Sequence, residues 1–117
     1  MSIPANLPFS KVRRAGGLIH LSGELPFAED GSIPDGIAAQ TDLTLRRIAA
    51  TLEGQGASLA DVVSCTVYLT DTADFAAFND AYRTYFSDPL PVRTTVQAGL
   101  MVPGARIEIT VVAEARG

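Results

Sequence analysis

The sequence predicts an α+β domain in which two helices pack on one face of a mixed sheet, in the order β-β-α-β-α-β-β. Three patterns carry that reading. Residues 37–53 and the stretch from Phe75 to Tyr85 repeat apolar side chains at helical spacing. Residues 61–69, about 92–98 and 105–113 alternate as strands do. Near the start, Gly16-Gly17 separates two short β-like runs and predicts a hairpin.

Each element follows from its residues. PFSKVRRA (8–15) is expected as the first strand and LIHLS (18–22) as the second. Residues 23–36, rich in Gly, Pro and acids, read as a loop. In 37–53 the stripe is Ile37, Leu45, Ile48 and Leu52, with Thr41 and Leu43 partly filling it. Asp35 or Gly36 caps its start and Gly54-Gln55-Gly56 ends it. DVVSCTVYL (61–69) is β-branched and alternating, a strand. Asp71 then serves as an N-cap, Asp74 falls in the first helical turn, and Phe75, Phe78, Tyr82 and Tyr85 form a core stripe. Pro89 and Pro91 stop that helix. One layer of helices leaves the other sheet face to be covered, and oligomerisation is one way to do it.

Composition narrows the function. The chain has 117 residues and reads as a single domain over 1–117. With 47% hydrophobic and 19% charged residues it belongs with compact, folded chains. No apolar run approaches the roughly 20 residues needed to cross a bilayer, and MSIPANLPFS lacks the pattern of a secretory leader. The net charge is −4, and no basic stripe offers a nucleic acid its phosphate contacts. A lone cysteine, Cys65, forms no intrachain disulfide and fits the reducing cytoplasm; it reads as a packing residue. One histidine and one cysteine do not make a closed zinc site. Dinucleotide and P-loop signatures are absent, so no cofactor is expected.

Two charges inside strands stand out. In PVRTTVQAGLMVPGARIEITVVA (91–113), Arg93, Thr95 and Gln97 share one face of the first strand. In the second, Ile107, Ile109 and Val111 oppose Arg106, Glu108 and Thr110. A hairpin turning at Leu100-Met101 sets Arg93 across from Glu108. Spacing supports two accounts. One is a cross-strand ion pair worth roughly 0.2–1 kcal/mol. The other is an arginine whose planar fork grips a small carboxylate beside a glutamate that orients water.

The chain resembles the RidA/YjgF family of reactive-imine deaminases along nearly its whole length. The resemblance rests on PFSKVRRAGGLIHLSGELP, on GIAAQTDLTLRRIAATLEGQGASLADVVSCTVYLTDTADFAAFNDAYRTYF and on PVRTTVQ…VPGARIEITVVA, taken in order. It implies a chorismate-mutase-like fold, a homotrimer with sites between subunits, and hydrolysis of 2-imino acids or enamines to 2-keto acids and ammonia. It further implies that Arg93 binds the substrate carboxylate and Glu108 handles the water, with Ser22, Asn79, Thr95 and Phe9 around the substrate. Phe9 stands where the family often has tyrosine, Thr95 where several members have cysteine, and Glu24 where glutamine is common.

Ordinary structural roles compete for the remaining residues. His20 reads as structural or interfacial, Ser22 as pocket lining or a turn hydrogen bond, and Asn79 as a site or helix-surface residue. Arg13-Arg14 and Arg46-Arg47 read as solvated or subunit-contact charges. The function is therefore expected to be an imine deaminase, with a non-catalytic, trimeric small-carboxylate-binding module as the alternative.

Overall fold

A hairpin opens the chain because Gly16 and Gly17 both take positive φ, 60° and 78°, which lets the strands reverse in two residues. The computed structural model describes residues 6–116. The hairpin joins β1 (Val12–Ala15) to β2 (Leu18–Leu21). Then come α1 (Ile37–Glu53), β3 (Val62–Leu69), α2 (Phe75–Tyr82), β4 (Val92–Gln97) and β5 (Ile107–Glu114). The first strand is shorter than expected, and residues 8–11 run as a bend around Pro8, which has no N–H to give a ladder. The expectation of no leader rests partly on residues 1–5, outside the described range.

The five strands lie in the order β1-β2-β5-β3-β4. β3 pairs parallel with β4 and antiparallel with β5, so the sheet is mixed. This corrects the expected β4–β5 hairpin. The two strands are adjacent in sequence but never pair, because β3 lies between them. β3, α2 and β4 instead form a βαβ unit, whose crossover helix is what a parallel pair requires.

Helix α1 lays Ile37, Thr41, Thr44, Leu45, Ile48 and Leu52 against the sheet. Leu43 falls off that stripe and is only half-buried, while Gln40 takes a fully buried place. Facing α1 and α2 are Ile19, Leu21, Val67, Leu69, Ile107, Ile109 and Val111, all buried. Burying each such aliphatic side chain is worth about 1.5–3 kcal/mol. Phe78 and Tyr82 join this core, but Phe75 remains 46% exposed, so the aromatic stripe of α2 is not wholly core.

Two polar devices anchor α2 and the β5 entry. Asp71 caps the turn before α2 by accepting from Ala73 N–H at 2.8 Å. Asp74, 7% exposed, is gripped by Arg106 through Nε at 3.0 Å and Nη2 at 2.8 Å. Gln40 accepts from Arg106 N–H at 2.7 Å and donates to the carbonyls of Pro34 and Gly104. Among the described residues the opposite sheet face carries no helix. There Val92 is 71% and Val96 43% exposed. Among the described residues no helix is long and apolar enough to cross a membrane.

Candidate functional site

Arg93 lies on β4, one of the two edge strands, in register with Cys65. Strand alternation turns Arg93 and Thr95 to the helix side, and Val92, Thr94 and Val96 to the open side. On α2, Phe75, Phe78 and Tyr82 fall at i, i+3 and i+7 and present one aromatic face. The guanidinium carbon of Arg93 lies 5.9, 5.1 and 4.8 Å from their ring centroids. Such contacts contribute about 0.5–2 kcal/mol, depending on desolvation. Among the described residues no carboxylate pairs with Arg93. The result is a planar cation on a fixed aromatic floor, with its hydrogen-bonding fork uncommitted to any acid.

The surroundings of Arg93 extend this half-site. Asn79 falls at i+4 from Phe75 on the same helix stripe and is half-buried. Thr95, two residues beyond Arg93, has a buried hydroxyl with no hydrogen-bond partner among the described residues. A recess of about 250 Å³ opens beside it, lined by Leu69, Thr72, Phe75, Thr95, Val96 and Gln97. The Tyr82 hydroxyl lies by Cys65 and Arg93 yet closes no hydrogen bond of ordinary geometry. Burial pushes the Cys65 thiol up, against the smaller opposing pull of Tyr82 and Arg93. That suits the packing role read from the sequence.

Glu108 lies on β5, in register with Tyr68 of β3, and turns to the open face because Ile107 and Ile109 turn to the core. Its carboxylate rests on Gly23, where any Cβ would overlap it. Burial, and then the negative charge of Glu24, push its carboxyl above the usual carboxylate range. Ser22 precedes Gly23; its Oγ donates to Ser10 carbonyl at 2.6 Å, and its N–H to Lys11 carbonyl at 3.0 Å. These bonds tie the segment carrying Phe9, itself 60% exposed, to the end of β2. His20 lies exposed on the same side as Ser22.

The two charges therefore do not meet within one chain. They project from opposite faces of the sheet, two strands apart. Their registers on β3 differ by three residues, so their Cα atoms are on the order of 14 Å apart. This excludes the cross-strand ion pair, and it excludes a site closed by one chain. What the structure brings together is Arg93 with Thr95, on the side to which α2 turns its Asn79 stripe, and Glu108 with Gly23, near Ser22.

Sequence reasoning missed Gly23, whose signal was a glycine where the backbone meets a strand glutamate. It also missed the pairing of Glu24 with Arg47 and Lys11, at 2.8 and 3.8 Å. Arg47 is thus a half-buried structural partner rather than a solvated charge. Among the described residues no cluster of three or more His, Cys, Asp or Glu is arranged for a metal.

Comparison with known proteins gives a consistent set. A family model described as Endoribonuclease L-PSP matches residues 1–115. The mitochondrial protein mmf2 of Schizosaccharomyces pombe is 39% identical over 109 residues, spanning 91% of this chain and 86% of that protein. The crystal structure of RidA from an Antarctic Psychrobacter superposes with a TM-score of 0.88 at 33% identity, over 95% of this chain and 91% of that one. Escherichia coli TdcF, solved with bound serine, superposes with a TM-score of 0.86 at 30% identity, over 97% and 91%.

Proposed function

As the chain belongs to the RidA/YjgF family, we propose that it hydrolyses reactive 2-imino acids or their enamine tautomers to 2-keto acids and ammonia, in a site completed by a second copy of itself. The observation that carries this reading is Arg93, a guanidinium on an aromatic floor with no acid partner among the described residues. Its fork fits a carboxylate bidentately. The adjoining recess, with Leu69, Phe75 and Val96 in its wall, fits a short side chain.

The chemistry asked of the protein is modest. An iminium carbon is already electrophilic. Arg93 holds the carboxylate, which fixes the C=N carbon relative to the site. Glu108 of the facing copy takes a proton from water as the oxygen attacks that carbon. That proton then passes to nitrogen, the ionised Glu108 takes the remaining hydroxyl proton as C=O forms and the C–N bond breaks, and ammonia leaves the 2-keto acid. A carboxyl whose proton affinity is raised is better matched to taking and returning a proton near neutrality than an ordinary one. The contact between copies is heterologous, head-to-tail, since the two halves lie on opposite faces, and a homotrimer is the assembly we infer. The name of the matching family model includes RNA cleavage. A net charge of −4 argues for a small anion held by one arginine over a phosphate chain.

The test is a coupled assay in which a pyridoxal-phosphate dehydratase converts threonine to the imine while keto-acid release is followed. The protein is expected to accelerate release, and Arg93→Ala to remove the acceleration while leaving the assembly intact. Equal rates with wild type and variant would defeat the reading. The bound serine of TdcF favours one second reading, a carboxylate-binding module. Keto-acid binding without turnover would establish that one instead.

A further inference from the structure

Tyr68 has no part in the reaction outlined above. It lies on β3 directly opposite Glu108 of β5 in an antiparallel pair, so the two side chains leave the same face of the sheet. Residues opposed in this way have Cβ atoms about 4.5–5.5 Å apart. Val67 and Leu69, on either side of Tyr68 in the chain, are buried in the core, which turns Tyr68 to the open face. There it is half-buried, with Val96 of β4 in register on its other flank. Its hydroxyl closes no hydrogen bond among the described residues.

The Glu108 carboxylate leans away from β3 and rests on Gly23. The next residue, Ile109, is bridged by Glu24 along one edge of β5 and pairs with Val67 along the other. Gly23 and Tyr68 therefore flank Glu108 from opposite sides. One side is closed by backbone, and the other presents a phenol. A tyrosine arm is longer than a glutamate arm, so a water seated on the carboxylate falls between the two.

We propose that Tyr68 is a further catalytic residue, which holds the attacking water jointly with Glu108. The inference rests on the reading of Glu108 as the group that handles water. One hydrogen of the water points at the carboxylate and the other at the phenol oxygen, which leaves an oxygen lone pair for the C=N carbon. Glu108 takes the first hydrogen as the C–O bond forms, and Tyr68 neither gains nor loses a proton. Fixing the water at two points rather than one removes orientational freedom before the attack. The covering of this face by a second copy sharpens the argument. A phenol enclosed without a partner costs stability, and a phenylalanine would pack against Val96 as well.

The experiment compares Tyr68→Phe with wild type in the coupled threonine dehydratase assay, with 2-ketobutyrate as the calorimetric ligand and mass read by light scattering. The variant keeps the ring and loses only the hydroxyl. Its kcat is expected to fall roughly tenfold or more, with KM, 2-ketobutyrate affinity and mass unchanged, because Arg93 carries the binding. An unchanged kcat overturns the proposal. So does a fall in kcat that brings KM or mass with it, the mark of a packing role. A second readout needs no turnover. In protein labelled with carbon-13 at tyrosine Cζ, the Tyr68 signal, assigned by its loss in Tyr68→Phe, should shift as Glu108 titrates and lose that step in Glu108→Gln. A signal blind to Glu108 also overturns the proposal. A wild type that does not accelerate imine hydrolysis defeats the deaminase reading and takes this assignment with it, whereas an active wild type matched by Tyr68→Phe defeats the role of Tyr68 alone.

Discussion

The guanidinium carbon of Arg93 lies 4.8 Å from the ring centroid of Tyr82, whose buried hydroxyl closes no hydrogen bond of ordinary geometry among the described residues. The ring therefore supports the cation while its polar end is unrewarded. Tyr82→Phe keeps the floor and removes an unsatisfied group, so stability should be unchanged or rise by up to about 1 kcal/mol in urea denaturation. Arg93→Lys replaces a stacked planar fork with a point charge. Keto-acid affinity, read by calorimetry, should weaken by about tenfold or more at unchanged stability. Equal affinity for the two side chains would remove bidentate capture from the account.

Because Arg93 and Glu108 project from opposite faces, a site assembled between copies has a distinctive genetic signature. Arg93→Ala and Glu108→Ala should each be inactive alone. Dissociated together in equal amounts and reassembled, they should recover about a quarter of wild-type activity, the fraction of head-to-tail contacts pairing an intact arginine with an intact glutamate. Mixtures that stay inactive after verified subunit exchange would place both groups in a site of another design.

Gly23 is the floor beneath the Glu108 carboxylate. Its backbone is not in the left-handed region, so alanine is conformationally acceptable there, and the clash is with the Glu108 side chain alone. Gly23→Ala should displace that carboxylate and lower kcat by roughly tenfold to a hundredfold, since small misplacements of a reacting group are costly. Far-ultraviolet circular dichroism should be unchanged. Full activity would show that the carboxylate need not rest there.

Glu108 also has a stability signature. Its carboxyl is pushed up in the folded state by burial and by Glu24. The protonated form is thus favoured by folding, and that contribution, complete below the unfolded value, is lost as pH rises through the folded one. Glu108→Gln should therefore melt higher than wild type at pH 7, by roughly 2–4 °C, with the advantage shrinking toward zero as pH falls below about 4. A lower melting point for the variant at neutral pH would contradict a desolvated, charge-opposed acid.

Much of the fold was legible in the residues. The apolar period gave α1 its bounds at Ile37 and Glu53, and the β-branched run gave β3. The pairing of the last strands was not legible from the turn between them. Gly99, Pro103 and Gly104 are as compatible with a connection passing over β3 as with a tight reversal. The better signal was strand–helix–strand over 62–97, which favours parallel pairing. Face assignment failed for the same reason. On β4 the apolar Val92 and Val96 turn outward and Arg93 turns toward the helices, the reverse of what burial in one chain would dictate. Arg93 and Glu108 were singled out through family likeness, whereas the Gly23 contact and the buried Glu24–Arg47 pair depend on distances no one-dimensional pattern contains.

Complementary halves on opposite sides make every chain at once a giver and a taker. A contact repeated in that sense either closes on itself or runs on. On the proposed reading, a closed ring has as many working centres as chains, whereas an open run leaves one idle half at each end. Dilution would then silence the protein by uncoupling its halves, long before any helix or strand is lost.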